Sequence, residues 1–104
     1  MMNIEYLNTM YMDSYFPNFL VDKVKAAILK VENFIKQGNH SLEEIQESLD
    51  EMTLIINDIQ EEFWEHNSEI ETVARDSIGE TVEKILKFYQ VPIDIEEAIR
   101  NRDW

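Results

Sequence analysis

The sequence contains no cysteine and only two glycines and two prolines among 104 residues. Without cysteine, disulfides, thiolate zinc sites, iron–sulfur clusters and cysteine nucleophiles are excluded. Gly38 and Gly79 stand alone, so no glycine-rich phosphate loop or dinucleotide fingerprint can be built. No apolar run approaches the roughly twenty residues that span a bilayer, and residues 1–12 lack the basic and apolar regions of a secretory signal. We therefore expect a cytoplasmic protein that does not enter membranes.

Basic residues are also scarce, with nine Lys and Arg against 22 Asp and Glu, which gives a formal net charge of −13. Residues 1–40 carry four side chains of each sign, whereas residues 41–104 carry 18 acidic and five basic ones. No Lys or Arg occurs between Ser41 and Ala74. Such a charge makes direct binding to nucleic acid or an anionic membrane unfavourable and favours a basic partner.

Apolar residues are plentiful at 44%, and their spacing is helical. A chain of 104 residues has the usual size of one domain, so we expect residues 1–104 to form a single helical domain. The pattern predicts an all-α protein, a small helical bundle of three long helices plus a short C-terminal helix.

Two long helices are predicted first. One covers about residues 19–37 and ends before Gly38, a typical C-terminal glycine; the other covers residues 42–65 and starts at a capping box, Ser41 with Glu44. Their apolar stripes recur every three or four residues and comprise Val21, Val24, Ile28, Val31 and Ile35, then Leu42, Ile45, Leu49, Met52, Ile56, Ile59 and Phe63. The second stripe fits a coiled-coil dimer as well as a monomer core; the many acidic neighbours slightly favour the monomer.

Ser68 with Glu71 predicts another capping box, so a third helix should start at about Glu69 and stop before Pro92. Its apolar positions are Ile70, Val73, Ala74, Ile78, Val82, Ile85, Leu86 and Tyr89. Asp94 with Glu97 predicts the short last helix.

We also expect the aromatic residues 2–16 to pack on the bundle, and Arg75 and Asp76 to form a partly buried ion pair with Asp13 or the C-terminal tail.

Three stretches carry a resemblance to a known family. They are residues 10–28 (MYMDSYFPNFLVDKVKAAI), ETVEKILKFY, and IDIEEAIRNRDW, with DSYFP at 13–17 and the final RDW as the most telling pieces. The chain resembles a small bacterial family catalogued as domain of unknown function 5713, over nearly its whole length. The resemblance implies a cytoplasmic bacterial setting and a one-domain helical fold; it implies no activity and no functional residue.

The acidic run predicts a non-enzymatic protein-binding module that offers a helical face to a basic protein. An immunity protein or antitoxin that blocks a basic effector is a sharper version of this hypothesis. The candidate contact residues are four acidic and two aromatic side chains, Glu61, Glu62, Glu65, Glu69, Tyr11 and Tyr15.

The alternative hypothesis is a metal-binding or enzymatic bundle that uses Glu62, Glu65, His66 and Glu69, since helical spacing brings carboxylates within reach of one another. The glutamate-x-x-histidine pattern of di-iron bundles is missing, because Phe63 stands three residues before His66. The serines that precede helices are better explained as caps than as nucleophiles. We therefore assign no catalytic residue, no metal ligand and no cofactor.

Overall fold

Five helices form the part of the chain that the computed structural model describes, residues 6–104. They are α1 (Asn8–Met12), α2 (Asn18–Gln37), α3 (Leu42–Glu65), α4 (Thr72–Phe88) and α5 (Ile95–Ala98). The predicted all-α bundle of three long helices and a short C-terminal helix is confirmed, and α1 is an additional short helix that the pattern did not predict. None of these five helices is both long and apolar enough to cross a membrane.

The pair α2 and α3 forms the centre of the bundle, and its helices pack side by side. At the start of α3 the predicted capping box is present: the Ser41 N–H donates to Glu44 Oε1 at 2.8 Å, and the Glu44 N–H donates to Ser41 Oγ at 3.1 Å. The stripe of α3 is buried within this one chain from Ile45 to Phe63, whereas Leu42 is half exposed. The stripe therefore builds an intramolecular core.

The predicted capping box at Ser68 and Glu71 is wrong, because α4 starts later, at Thr72, and its N-cap Glu71 makes no side-chain cap. The Ser68 N–H instead donates to Phe63 O at 2.8 Å, and the Asn67 N–H donates to Trp64 O at 3.1 Å. With Asn67 left-handed (φ 57°), these two bonds close a Schellman motif at the end of α3. Ser68 thus terminates one helix rather than starting the next.

The segment before α2 packs on the bundle through three buried side chains, Leu7, Met10 and Phe16. The Leu7 N–H donates to Thr81 Oγ1 at 3.0 Å, and α1 packs against α4. The prediction that this aromatic stretch docks is confirmed for those three residues, but Met12 and Tyr15 are exposed. The part of the prediction that concerns residues 2–5 lies outside the described residues.

The C-terminal tail is fastened to α3. Arg100 in the tail forms an ion pair with Asp50 on α3, at 2.8 Å. Asp94 caps α5 by accepting a hydrogen bond from the Glu96 N–H at 3.0 Å. The last residue of the tail, Trp104, is buried. Arg75 Nε donates to the backbone oxygen of Trp104 at 3.1 Å. The predicted contact is therefore confirmed for Arg75, which binds the tail through the Trp104 oxygen rather than through a side-chain carboxylate, whereas Asp76 is exposed.

A carboxylate that the apolar stripe gave no reason to expect inside the bundle, that of Glu32 on α2, is 6% exposed. It accepts hydrogen bonds from two hydroxyls, Tyr6 Oη and, at 2.8 Å, Tyr89 Oη. A buried carboxylate is unfavourable unless donors replace its water. The two tyrosines supply them and join the N-terminal segment, α2 and the end of α4.

Tyrosine ionisation should destabilise the fold. Burial, and then hydrogen bonding to Asp22 and Glu32 respectively, raises the pKa of Tyr11 and of Tyr89 to about 12 each. The unfolded chain titrates its tyrosines near 10, as expected from model peptides. Because the folded state holds the protons more tightly, the stabilisation is fully present below about pH 10 and is lost as the pH rises toward 12.

The check is an ultraviolet tyrosinate titration of native protein, with stability measured by denaturant at each pH. Native absorbance should rise well above pH 10, whereas the protein in denaturant should titrate near 10. The Tyr89→Phe variant removes one tyrosinate and should soften the alkaline loss of stability. Identical native and denatured titrations would contradict the assignment.

Candidate protein-binding surface

Five of the six predicted contact residues lie near one end of the bundle, where α2 begins and α3 ends. Glu61, Glu62 and Glu65 occupy the last turns of α3, Glu69 lies in the connection to α4, and Tyr15 lies in the loop before α2. The structure thus groups residues that are about fifty positions apart in the sequence.

Two of the predicted contact residues are engaged inside the protein. Glu62 forms an ion pair with Lys23 that links α3 to α2. The Tyr11 hydroxyl donates to Asp22 Oδ1, and that contact ties α1 to α2. Both residues therefore have a structural contact already, and they leave Glu61, Glu65, Glu69 and Tyr15 as the exposed members of the set.

Three aromatic side chains are exposed at this end: Tyr15 is 43% exposed, Phe19 50% and Trp64 53%. We call these three residues the aromatic end. The His66 ring lies 5.0 Å from the Phe19 ring, edge to face, which joins the start of α2 to the end of α3. The Tyr15 ring lies 5.1 Å from the buried Phe16 ring, edge to face. Exposed large aromatics gathered at one site are typical of interaction surfaces.

The segments that carry the aromatic end are rich in carboxylates, and the cation that follows the first of them, Lys23, is paired with Glu62. The segments that build it, residues 12–22 and 61–74, contain no Lys or Arg, and their acidic residues are Asp13, Asp22, Glu61, Glu62, Glu65, Glu69 and Glu71. A hydrogen bond to Glu71 and its charge raise the pKa of Glu69. Two carboxylates in contact repel each other when both are ionised, so this part of the surface is poised to accept a cation.

An open pocket of about 540 Å³ lies within the aromatic end. Its lining residues come from the loop before α2 and from the end of α3 with its connection to α4, and they are Tyr15, Trp64, Asn67, Ser68 and Glu69. Burial, followed by the charges of Glu71, Glu69 and Asp13, raises the pKa of the Tyr15 hydroxyl.

Ser68 has an unusual position in this pocket. The residue is 1% exposed, and its Oγ has no hydrogen-bond partner among the described residues. The Schellman motif fixes the backbone here, because the Ser68 N–H donates to the Phe63 oxygen at the end of α3. A buried hydroxyl without a partner destabilises the folded protein by about 1–3 kcal/mol. A ligand that donates a hydrogen bond to it therefore gains more binding free energy than a ligand that donates to a group already bonded to water.

The four residues of the metal alternative do not assemble. Glu62 pairs with Lys23, His66 Nδ1 lies 2.8 Å from the Glu62 backbone oxygen, and Glu69 contacts Glu71. Across residues 6–104, no three His, Asp or Glu side chains are grouped so that they could hold a metal ion.

A second groove, of about 280 Å³, runs between α2 and α3 and includes Val31, Phe34 and Met52 in its lining. Lys30 and Glu51, which also line it, pair with each other at 3.6 Å. None of its residues holds a buried polar atom without a partner. The groove therefore offers weaker grounds for a ligand than the pocket at the aromatic end.

Three residues of the surface were not among the six predicted contact residues: Phe19, Trp64 and Ser68. Trp64 had a usable signal, since it follows the core residue Phe63 and lies off the apolar stripe. Phe19 lies off the stripe of α2 in the same way. Ser68 had no usable signal, because its burial depends on contacts made in the folded chain.

The sequence model of a family of unknown function, DUF5713, matches residues 1–104. No curated protein and no solved structure matches the chain.

Proposed function

Because the chain belongs to the DUF5713 family, whose function is unknown, we propose a function from its own residues: a non-enzymatic module that binds a basic protein through the aromatic end. The observation that carries the proposal is the grouping of Tyr15, Phe19 and Trp64, each about half exposed, on segments 12–22 and 61–74, which carry seven acidic residues and no Lys or Arg. A bacterial cytoplasmic setting and a monomeric state are further parts of the proposal.

The two kinds of side chain have separate roles in binding. Aromatic residues supply large apolar contact area with little conformational entropy to lose, and tryptophan and tyrosine are enriched among the residues that dominate binding energy. Carboxylates mainly accelerate the encounter with a basic partner and exclude acidic ones. The surface therefore favours a partner with arginine or lysine beside an apolar patch.

An immunity protein or antitoxin that blocks a basic effector would use such a surface, because clustered carboxylates attract a basic protein. The support is chemical: an acidic helical protein competes with a phosphate backbone for the same cations. The same surface would also bind other basic proteins. Binding to a basic effector is therefore the more specific version of the proposal.

Charge reversal is the direct test. The variant Glu61→Lys, Glu65→Lys and Glu69→Lys should lower the association rate with a partner captured at low salt by about tenfold, because steering depends on local charge. The matched control is Glu43→Lys, Glu47→Lys and Glu51→Lys, which has the same spacing and the same net charge change at the other end of α3. The control should change the rate less than about twofold. Salt largely screens charges that lie farther from the binding site than one Debye length, which is about 8 Å at physiological salt.

Rates are measured by surface plasmon resonance over a series of salt concentrations, and circular dichroism verifies that both variants stay helical. If a partner binds both triple variants equally fast and its association rate does not depend on salt, the binding site does not lie at the aromatic end.

A further inference from the structure

We propose that the pocket at the aromatic end takes the guanidinium group of one arginine side chain of the partner. This inference rests on the proposed function and deepens it, since it names the group that is recognised. The pocket, its lining and the unpartnered Ser68 hydroxyl carry the argument.

The walls suit a flat cation. Tyr15 and Trp64 both line the pocket and are half exposed, so their rings are available to a ligand. A guanidinium group stacks on aromatic faces and is attracted by their negative electrostatic potential, most strongly by tryptophan. A pocket with two such rings therefore favours a planar, weakly hydrated cation.

The polar atoms suit a group that only donates. Glu69 brings a carboxylate, and Ser68 brings a buried hydroxyl oxygen without a partner. Guanidinium carries five N–H donors and no acceptor, so it can serve a carboxylate and a hydroxyl at once. A bound arginine would thus pair with Glu69 and relieve its repulsion with Glu71, and a small shift of the pocket wall would bring an N–H within reach of the buried Ser68 Oγ.

Lysine fits less well. Its ammonium is a compact, strongly hydrated point charge that does not stack. In an open pocket the ammonium group would keep much of its bound water and would not stack on the aromatic rings. The affinity of the pocket for lysine should therefore be lower than for arginine.

The probes are two tripeptides, acetyl-Gly-Arg-Gly-amide and acetyl-Gly-Lys-Gly-amide, titrated into the ¹⁵N-labelled full chain at low salt. The two tryptophans give two indole N–H signals, assigned with Trp64→Phe. Trp64 reports on the pocket, and the buried Trp104 is an internal control. The arginine peptide should shift the Trp64 indole and the Ser68 and Glu69 amides, and bind at least about threefold tighter than the lysine peptide.

Two variants test the polar contacts. Ser68→Ala should weaken arginine binding about threefold, as expected for one neutral hydrogen bond, while the melting temperature stays unchanged or rises because an unpartnered hydroxyl is removed. Glu69→Gln should weaken it about fivefold, and the control Glu43→Gln should leave it unchanged. A loss of binding with unchanged stability separates recognition from a structural role.

Other outcomes overturn the inference in distinguishable ways. Equal affinity for both peptides would refute arginine recognition. Shifts confined to Phe19 and Glu65, with the Trp64 indole unmoved, would refute the pocket but leave the proposed function standing. If no signal shifts at peptide concentrations up to about 50 mM, any binding is too weak for recognition, and the inference is refuted. The proposed function would then be tested independently by the association rates of the charge-reversal variants.

Discussion

Deleting residues 1–16 is expected to unfold the protein at ambient temperature. The deletion removes three buried side chains of the core, Leu7, Met10 and Phe16, and uncovers the face of α4 against which α1 packs. Truncation of each such side chain typically costs about 2–5 kcal/mol, so their joint loss approaches the whole stability of an ordinary domain, about 5–15 kcal/mol. Circular dichroism and a thermal melt of the truncated chain give the measurement.

The two methionines of α1 provide a matched pair that isolates the packing effect. Met10 is fully buried and Met12 is 79% exposed, two residues further along the same helix. Met10→Ala should lower the free energy of unfolding by about 2–5 kcal/mol, whereas Met12→Ala should change it by less than about 0.5 kcal/mol. Equal effects for the two, or a truncated chain that melts like the full one, would show that the segment does not belong to the core.

Replacing Phe63 with alanine should destabilise the fold by about 3–5 kcal/mol. The side chain is fully buried on α3, and its ring lies 6.4 Å from the ring of Phe16, edge to face, so that it links α3 to the segment before α2. The backbone oxygen of Phe63 also accepts the N–H of Ser68. The cavity would therefore open beneath the aromatic end, and denaturant unfolding measures its effect.

The neighbouring Trp64 is the control for size, because it is the larger aromatic residue but is 53% exposed. Trp64→Ala should cost less than about 1 kcal/mol and yet reduce binding of a basic partner by about tenfold or more, as expected for an aromatic residue at the centre of an interface. If Trp64→Ala were as destabilising as Phe63→Ala, or left binding intact, Trp64 would not be the contact residue that we assign.

The bounds of α3 were predictable because all their determinants are local. The capping box at Ser41 and Glu44 uses groups three residues apart, and the apolar stripe repeats within each turn, so both can be found in the sequence alone. The same cap signal at Ser68 and Glu71 failed because the Ser68 N–H had a competing partner, the Phe63 oxygen, on the preceding helix. Local signals predict structure only where no such competitor exists.

The candidate site was predictable in part. The acidic run after Ser41 and the residues Glu61, Glu65, Glu69 and Tyr15 were identified from composition and spacing. The sequence could not reveal that Glu62 pairs with Lys23 or that Tyr11 contacts Asp22, since ion pairs and hydrogen bonds between helices depend on how the helices pack.

The sequence by itself determined the helical class, the extent of α2 and α3 and the sign of the charge, since periodicity, caps and composition are properties of neighbouring residues. Only the tertiary structure decided which aromatics remain outside the core, that Glu32 lies between two tyrosines, and that Tyr15, Trp64 and Ser68 share one pocket. These groupings join residues far apart in the chain, and a contact between distant residues is selected by the packing of the whole core rather than by either segment.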